Sequence, residues 1–214
     1  MSGILGTTTY TDSSQQELII DDALIINITL ASGAGNLTRG TILGQQRLAL
    51  GTTTIGTNTG NGTLTAVTLG SASQFGSYTL RCTATATHGG TFSVTTPNGE
   101  TLPNATVDVA YTSPRINFTL NHGATDFAVG DTFTIPVIAG SGKYTTINFS
   151  GTDGTQIARA ILADDTDATS ADTPSLAFVD GAYRVDHLLW PNGATTNQKA
   201  IALFQLRDCG IVTQ

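Results

Sequence analysis

The residues best able to do chemistry in this 214-residue chain are few and scattered. The three histidines, His88, His122 and His187, do not pair at metal-ligand spacing along the sequence. His88 and His122 stand beside glycines at expected turns and read as exposed loop residues. His187 precedes Leu188 and reads as part of a core wall or an interface. The one acidic cluster, DDTDATSAD from Asp164 to Asp172, invites comparison with a calcium loop. Counted from Asp165, Asp167 and Thr169 fall at oxygen-donor positions, but Ser170 stands where the turn needs Gly and Leu176 where the loop needs Glu. The segment is therefore expected to be a solvated acidic loop. GSGKYTT, Gly140 to Thr146, faintly suggests a phosphate loop. It fails because Val137 replaces the first glycine and Tyr144 stands where Ser or Thr must hold magnesium, so a β-turn is expected. No G-x-S-x-G nucleophile elbow occurs, and no cleft is indicated in which paired carboxylates could act. The two cysteines, Cys82 and Cys209, are far apart and fall in different segments, which points to reduced, mostly buried thiols and no disulfide framework. The expectation is a protein that is not an enzyme and carries no metal or cofactor.

Bulk properties narrow the partners. The formal net charge is −7 and the isoelectric point about 4.6, so a phosphate backbone would be repelled and no nucleic-acid partner is expected. No apolar run approaches the ~20 residues of a membrane span, so no membrane partner is expected. MSGILGTTTYTDSSQQ has neither a basic n-region nor a continuous apolar h-region, and no signal peptide is read. Apolar residues make up 39% of the chain, enough for a real core.

The elements that must position any site fall into three textures. Residues 1–16 read as an N-terminal arm: polar, with Ile4, Leu5 and Tyr10 isolated among residues that cannot offset chain entropy. ELIIDDALIINITLASG, from Glu17, is rich in β-branched residues and reads as one strand or two. NLTRGTILGQQRLAL, from Asn36, adds a turn at Arg39-Gly40 and another short strand. Between about 52 and 138, strand-length runs alternate with turn signals at Asn61-Gly62, Gly89-Gly90, Asn98-Gly99 and Gly130-Asp131. In TFSVTT, Phe92 and Val94 share a face; in INFTL, Ile116, Phe118 and Leu120 do. Six or seven such strands suggest a small, immunoglobulin-like β-sandwich. From Gly140 the first texture returns: GKYTTINFS as a strand, GTQIARAILADD as an apolar run leading to the acidic loop, then TPSLAFVDGAYRV as two strands turning at Asp180-Gly181.

The chain closes with its one well-marked helix. Pro191, Asn192 and Gly193 interrupt the preceding strand, Thr195 and Gln198 fit a capping box, and Gly210 supplies a left-handed stop. Ile201, Phe204 and Asp208 lie on one stripe, widened by Ala200, Leu203 and Leu206. A helix this short is marginal alone, so its apolar side is expected to pack on a sheet, with Trp190 covering the same junction. Pattern alone gives two β-rich bodies, an arm, one helix and no reaction centre.

Several of these stretches, taken in order, resemble the phage lambda-type head decoration proteins. They are NLTRGTILGQ, SGKYTTINFSGTDGTQIARAILADDTDAT, LAFVDGAYRVDHLLWP and the closing helix with GIV. The resemblance covers roughly 17–50 and 140–214. Compact members pass quickly from the LGQ strand to the GKY strand, whereas some ninety residues intervene here, resembling an accessory β-domain inserted in some such proteins. The resemblance implies a discontinuous base domain, 17–51 and 139–214, interrupted by an inserted sandwich, 52–138. It implies a virion protein on the outer surface of the capsid, made in the host cytoplasm. As a homotrimer at or near three-fold positions, it would bind the major capsid protein and cement the expanded head. The arm, with Ile4, Leu5, Thr7, Thr8, Thr9 and Tyr10, is assigned to capsid contact by β-augmentation. Trp190, Pro191 and Phe204 are assigned to a trimer or core junction. The alternative is a virion surface protein that binds host glycan or receptor through the sandwich, with Phe75, Tyr78, Tyr111 or His88 stacking on sugar.

Overall fold

The computed structural model describes residues 18–214, Asp22 by its backbone alone. In chain order the strands are β1 (Ile19–Leu30), β2 (Gly35–Leu37), β3 (Ile42–Gln45), β4 (Leu48–Leu50), β5 (Thr54–Ile55) and β6 (Thr63–Leu69). There follow β7 (Gly76–Ala86), β8 (Gly89–Thr95), β9 (Thr101–Thr106), β10 (Ala110–Tyr111), β11 (Ile116–Asn121) and β12 (Thr132–Ala139). The last are β13 (Tyr144–Thr146), β14 (Ala158–Leu162), β15 (Thr166–Ala168), β16 (Thr173–Tyr183) and β17 (Ile211–Thr213). Helix α1 (Thr196–Asp208) precedes β17, and a short 3-10 turn spans Val185–His187. The described residues are mainly β with a single C-terminal α-helix, as the periodicity predicts. The described chain divides into two compact units: residues 18–45, 143–149 and 155–214 form unit 1, and residues 46–142 with 150–154 form unit 2.

Unit 1 is built on one sheet, β1-β13-β3-β14-β16-β17, in which β1 also pairs with β16, so five strands close into a ring. β14 explains how that ring is filled. All its residues but Arg159 are buried, the pattern of a strand covered on both faces. Ala158 and Ile161 join Ile42, Phe178 and Leu206 in one apolar cluster. Ala160 and Leu162 join Leu30, Leu43 and Ala177 in another. Gly44 in β3 has a steric cause: a Cβ there would sit 2.0 Å from the Thr155 carbonyl oxygen, and only glycine permits that approach.

β16 corrects one expectation. Asp180-Gly181 does not turn; the chain runs through it as one 11-residue strand. Gly181 takes φ 122, and its N–H is held by the Asp180 carboxylate at 2.8 Å. β1 lies along β16 with register shifts around Asp21 and Leu24, and β17 pairs parallel with Gly181–Tyr183. With neighbours on both edges, an Asp-Gly step is accommodated as an irregularity in the ladder.

Unit 2 is a two-sheet sandwich. One sheet runs β4-β12-β7-β8-β9 with β5 also on β12, and the other runs β10-β11-β6. The alternation read from sequence is the alternation of burial. Tyr78, Leu80 and Cys82 of β7, Phe92 and Val94 of β8, Ile116, Phe118 and Leu120 of β11, and Phe133, Ile135 and Val137 of β12 share one core. Phe127 meets Phe92 and Phe133 edge-on, with ring centroids 5.0 and 5.9 Å apart. Asp131 is buried among these strands and accepts the N–H groups of Thr59, Gly60 and Ala128 at 2.9–3.0 Å. Burial alone would raise its pKa, but these backbone donors hold the carboxyl below its usual range. The β7–β8 turn lies at Thr87-His88 rather than at Gly89-Gly90, because Ala86 pairs with Gly89. No turn forms at residues 140–143, where one was expected; they make an irregular connection into β13.

Candidate functional site

The C-terminal helix was the best-specified element, and its start is as read. Thr195 Oγ1 accepts the Gln198 N–H while the Gln198 side chain accepts the Thr195 N–H, so both halves of the capping box are present. The face presented to the sheet differs from the expected stripe. Ala202 and Leu206 are buried and Leu203 partly so, whereas Ile201 is 48% and Phe204 65% exposed. Beside the buried face, the Ala158 N–H of β14 is donated to Gln205 Oε1 at 2.9 Å. Ile201 and Phe204 fall outside the buried stripe. Helical spacing places Phe204 on the apolar side expected to pack.

Trp190 is half-buried against the unit 1 core, and the Lys199 ammonium lies 5.7 Å from its ring centre. Its neighbour Leu189 joins the fold by backbone bonds, donating to Gly40 O at 2.9 Å and accepting from Ile42 N at 3.2 Å. Pro191 is half-buried at the turn beyond. Beside Phe204 lies an open groove of about 250 Å³ lined by Ala200, Leu203, Phe204, Arg207 and Thr213. Val212 is exposed on the adjoining strand. A second apolar exposure in unit 1 is Ile20, Leu24 and Ile26 on β1. Apart from Leu30, which pairs with Tyr144 of β13, the edge of β1 away from β16 has no strand partner among the described residues. The assigned arm residues Ile4, Leu5, Thr7, Thr8, Thr9 and Tyr10 lie outside the described residues.

The acidic segment is more ordered than the expected solvated loop. Thr166–Ala168 pair with Gly35–Leu37, Asp165 accepts the Arg39 N–H at 2.7 Å, and Asp172 holds the Ser32 N–H at 2.9 Å and the Lys143 ammonium. Its carboxylates tie together separate parts of unit 1. Among the described residues, no group of three or more His, Cys, Asp or Glu side chains is placed to hold a metal ion.

The end of unit 2 opposite its chain exits holds a constellation that sequence spacing could not reveal. β12 stops at Thr132, opposite Arg81, while β7 runs on to Ala86. There the rings of His88 and His122, both exposed as expected, stack with centroids 5.1 Å apart and planes 19° from parallel. Asp108 accepts the His122 backbone N–H at 3.0 Å and also contacts the His122 ring, and these bonds hold its carboxyl below the usual range. Asp126 accepts the His88 N–H at 2.8 Å. His88 and Asp108 both adopt left-handed backbone, φ 50 and 61, which costs non-glycine residues energy. His187 is half-buried in the 3-10 turn of unit 1. Of the sugar-stacking candidates, Tyr78 and Tyr111 are buried in the sandwich core, while Phe75 and His88 lie at the surface. Both cysteines are free thiols, Cys82 buried and Cys209 partly so.

This mainly β chain with its closing helix matches, over residues 21–211, the family described as bacteriophage lambda head decoration protein D. The match spans most of the chain, and the protein belongs to that family of structural phage head proteins. A search of curated proteins finds no match. Two crystal structures of Xanthomonas campestris FlgL, in space groups H3 and C2, align with 51% of this chain at 20% identity and a TM-score of 0.32. The alignment covers only 34% and 33% of those FlgL chains. A TM-score this low does not define a common fold, so the likeness carries no functional weight.

Proposed function

We propose that the protein is a capsid cement, acting as a homotrimer on the outside of the expanded phage head. It binds the major capsid protein at or near three-fold positions and holds neighbouring subunits against the pressure of packaged DNA. The family match from residue 21 to 211 carries this reading. The apolar exposures of unit 1 support it: Phe204, Ile201 and Val212 around the helix, and Leu24 and Ile26 on β1. Isolated apolar residues on a surface are ordinary, but grouped ones mark contact surfaces. In this reading the helix face with Phe204, and Trp190 and Pro191 behind it, forms the trimer junction. The arm, residues 1–16, adds a strand to the capsid. Unit 2 is an accessory domain between the two halves of the decoration base. Contact with a host glycan through unit 2 is a separate reading, which Phe75 favours because it is 67% exposed on a loop. Co-sedimentation of the purified protein with empty expanded heads, followed by cryo-EM of the decorated particle, tests the main reading. Saturable binding with three-fold density is expected; no binding, or isolated monomers at every site, overturns it.

A further inference from the structure

The chain contains three Asn-Gly steps, Asn61-Gly62, Asn98-Gly99 and Asn192-Gly193. Asparagine followed by glycine is chemically labile, because no side chain shields the next backbone nitrogen from the asparagine carboxamide. The structure treats the three steps differently. Asn61 is locked on both sides: its Oδ1 accepts the Thr125 N–H at 2.9 Å, and its own N–H donates to Thr125 O at 3.3 Å. Gly62 beside it is buried, with Phe127 and the Asn121 carbonyl so close that a Cβ would lie 2.2 and 2.3 Å from them. Asn98 is held by the Thr96 hydroxyl, and the Gly99 N–H that would have to attack is engaged with Thr96 O at 3.0 Å.

Asn192 has neither restraint. Asn192 and Gly193 are both exposed. They occupy the two central positions of a turn closed by Ala194 N–H to Pro191 O at 3.1 Å, with Gly193 at φ 79. Such a turn needs a positive φ at its third residue and directs no hydrogen bond from the central residues. Among the described residues, neither the Asn192 carboxamide nor the Gly193 N–H has a hydrogen-bond partner.

We infer that Asn192 is a self-modification site, converted spontaneously to aspartate and isoaspartate ahead of the other two Asn-Gly steps. The Gly193 nitrogen forms a bond to Asn192 Cγ and gives up its proton. The bond from Cγ to the side-chain nitrogen breaks, and that nitrogen leaves as ammonia, carrying the proton. The resulting succinimide takes up water at either carbonyl and opens to aspartate or isoaspartate. The reaction consumes only water. Each event makes the chain one charge more negative than its formal −7. The new carboxylate stands just before the Thr195 N-cap, near the positive end of the helix dipole, where negative charge is favourable. The isoaspartate product also lengthens the backbone between Trp190 and α1 by one carbon.

The test is incubation of the full chain in mildly alkaline buffer, native and urea-unfolded in parallel. Peptide mass mapping follows the amide-to-acid mass gain, and isoaspartyl methyltransferase labelling follows the rearranged product. In the native protein the Asn192 peptide is expected to convert severalfold faster than those of Asn61 and Asn98, and in urea the three rates should converge. Gly193→Ala should slow conversion at 192 alone. Native conversion of Asn61 or Asn98 at the rate of Asn192, or an Asn192 that stays intact when folded but converts in urea, overturns the inference.

Discussion

The side-chain oxygen of Gln205 accepts the backbone N–H of Ala158 at 2.9 Å, joining the last turn of α1 to the first residue of β14. It lies beside the buried face of the helix, which carries Ala202 and Leu206, while Ile201 and Phe204 stay exposed. Leu206 is fully buried in unit 1, whereas Phe204 is not. Leu206→Ala should lower unfolding free energy by about 2–5 kcal/mol. Phe204→Ser should stay within about 0.5 kcal/mol of the parent but lose affinity for expanded heads. Urea denaturation and head co-sedimentation read the two effects; a Phe204→Ser protein that binds as tightly as the parent removes this face from the contact.

Asp131 gives unit 2 a defined acid sensitivity. Its folded-state pKa is lowered, net of burial, by three backbone donors, so the unfolded chain binds its proton more tightly. The stabilisation is present above the ordinary aspartate pKa and is lost as pH falls through the lower folded value. Asp131→Asn should cost about 1–3 kcal/mol at neutral pH and flatten part of the acid-side decline in thermal midpoint. An unchanged pH profile in the variant would assign the acid sensitivity elsewhere.

Removal of residues 2–12 should leave the thermal midpoint of the free protein unchanged while raising the concentration for half-saturation of heads. Ordering an arm costs ~1–2 kcal/mol per residue, against ~0.5–1.5 kcal/mol for each hydrogen bond gained. Anchors such as Ile4, Leu5 and Tyr10 must therefore tip the balance, and three arms act together through effective concentration. Equal half-saturation for truncated and full-length protein would place the clamp in the folded units.

Replacing residues 52–138 with a short Gly-Ser linker should leave cooperative unfolding of the remainder. The measurement is differential scanning calorimetry, with a single sharp transition expected. A broad, featureless trace would show that the two units depend on each other to fold.

The legible parts of this fold were those set by local chemistry. Period-two alternation gave the inward residues of β8 and β11, because one face of each strand is buried and the other is not. Thr195 and Gln198 gave the helix start, because the capping box is contained in four residues. Asp180-Gly181 misled because a turn signal cannot report that β1 and β17 flank the chain there. His88 and His122 were legible as exposed loop residues but not as a stacked pair, because they are neighbours only once β7 and β11 have been placed in opposing sheets. The outward turn of Phe204 was hidden because Ile201, Leu203, Phe204 and Leu206 spread over more than half of the helix circumference, and spacing alone does not say which part of so wide an apolar side meets the sheet.

The exit and return of unit 2 also have a kinetic consequence. In unit 1, Gln45 of β3 pairs with Tyr144 of β13; within unit 2, the Gly142 N–H is bonded to Gln46 O at 2.9 Å. As an unstructured loop, the intervening stretch would make the β3–β13 pairing slow to find. Going from hairpin length to about a hundred residues is roughly four doublings, or about 2.5 kcal/mol of closure entropy. Once the sandwich has folded, its two ends are already side by side, and β3 meets β13 as though across a tight turn. The sandwich then serves as an internal splint: a mutation that slows its folding should delay the ring in unit 1 even where it touches no residue of that ring.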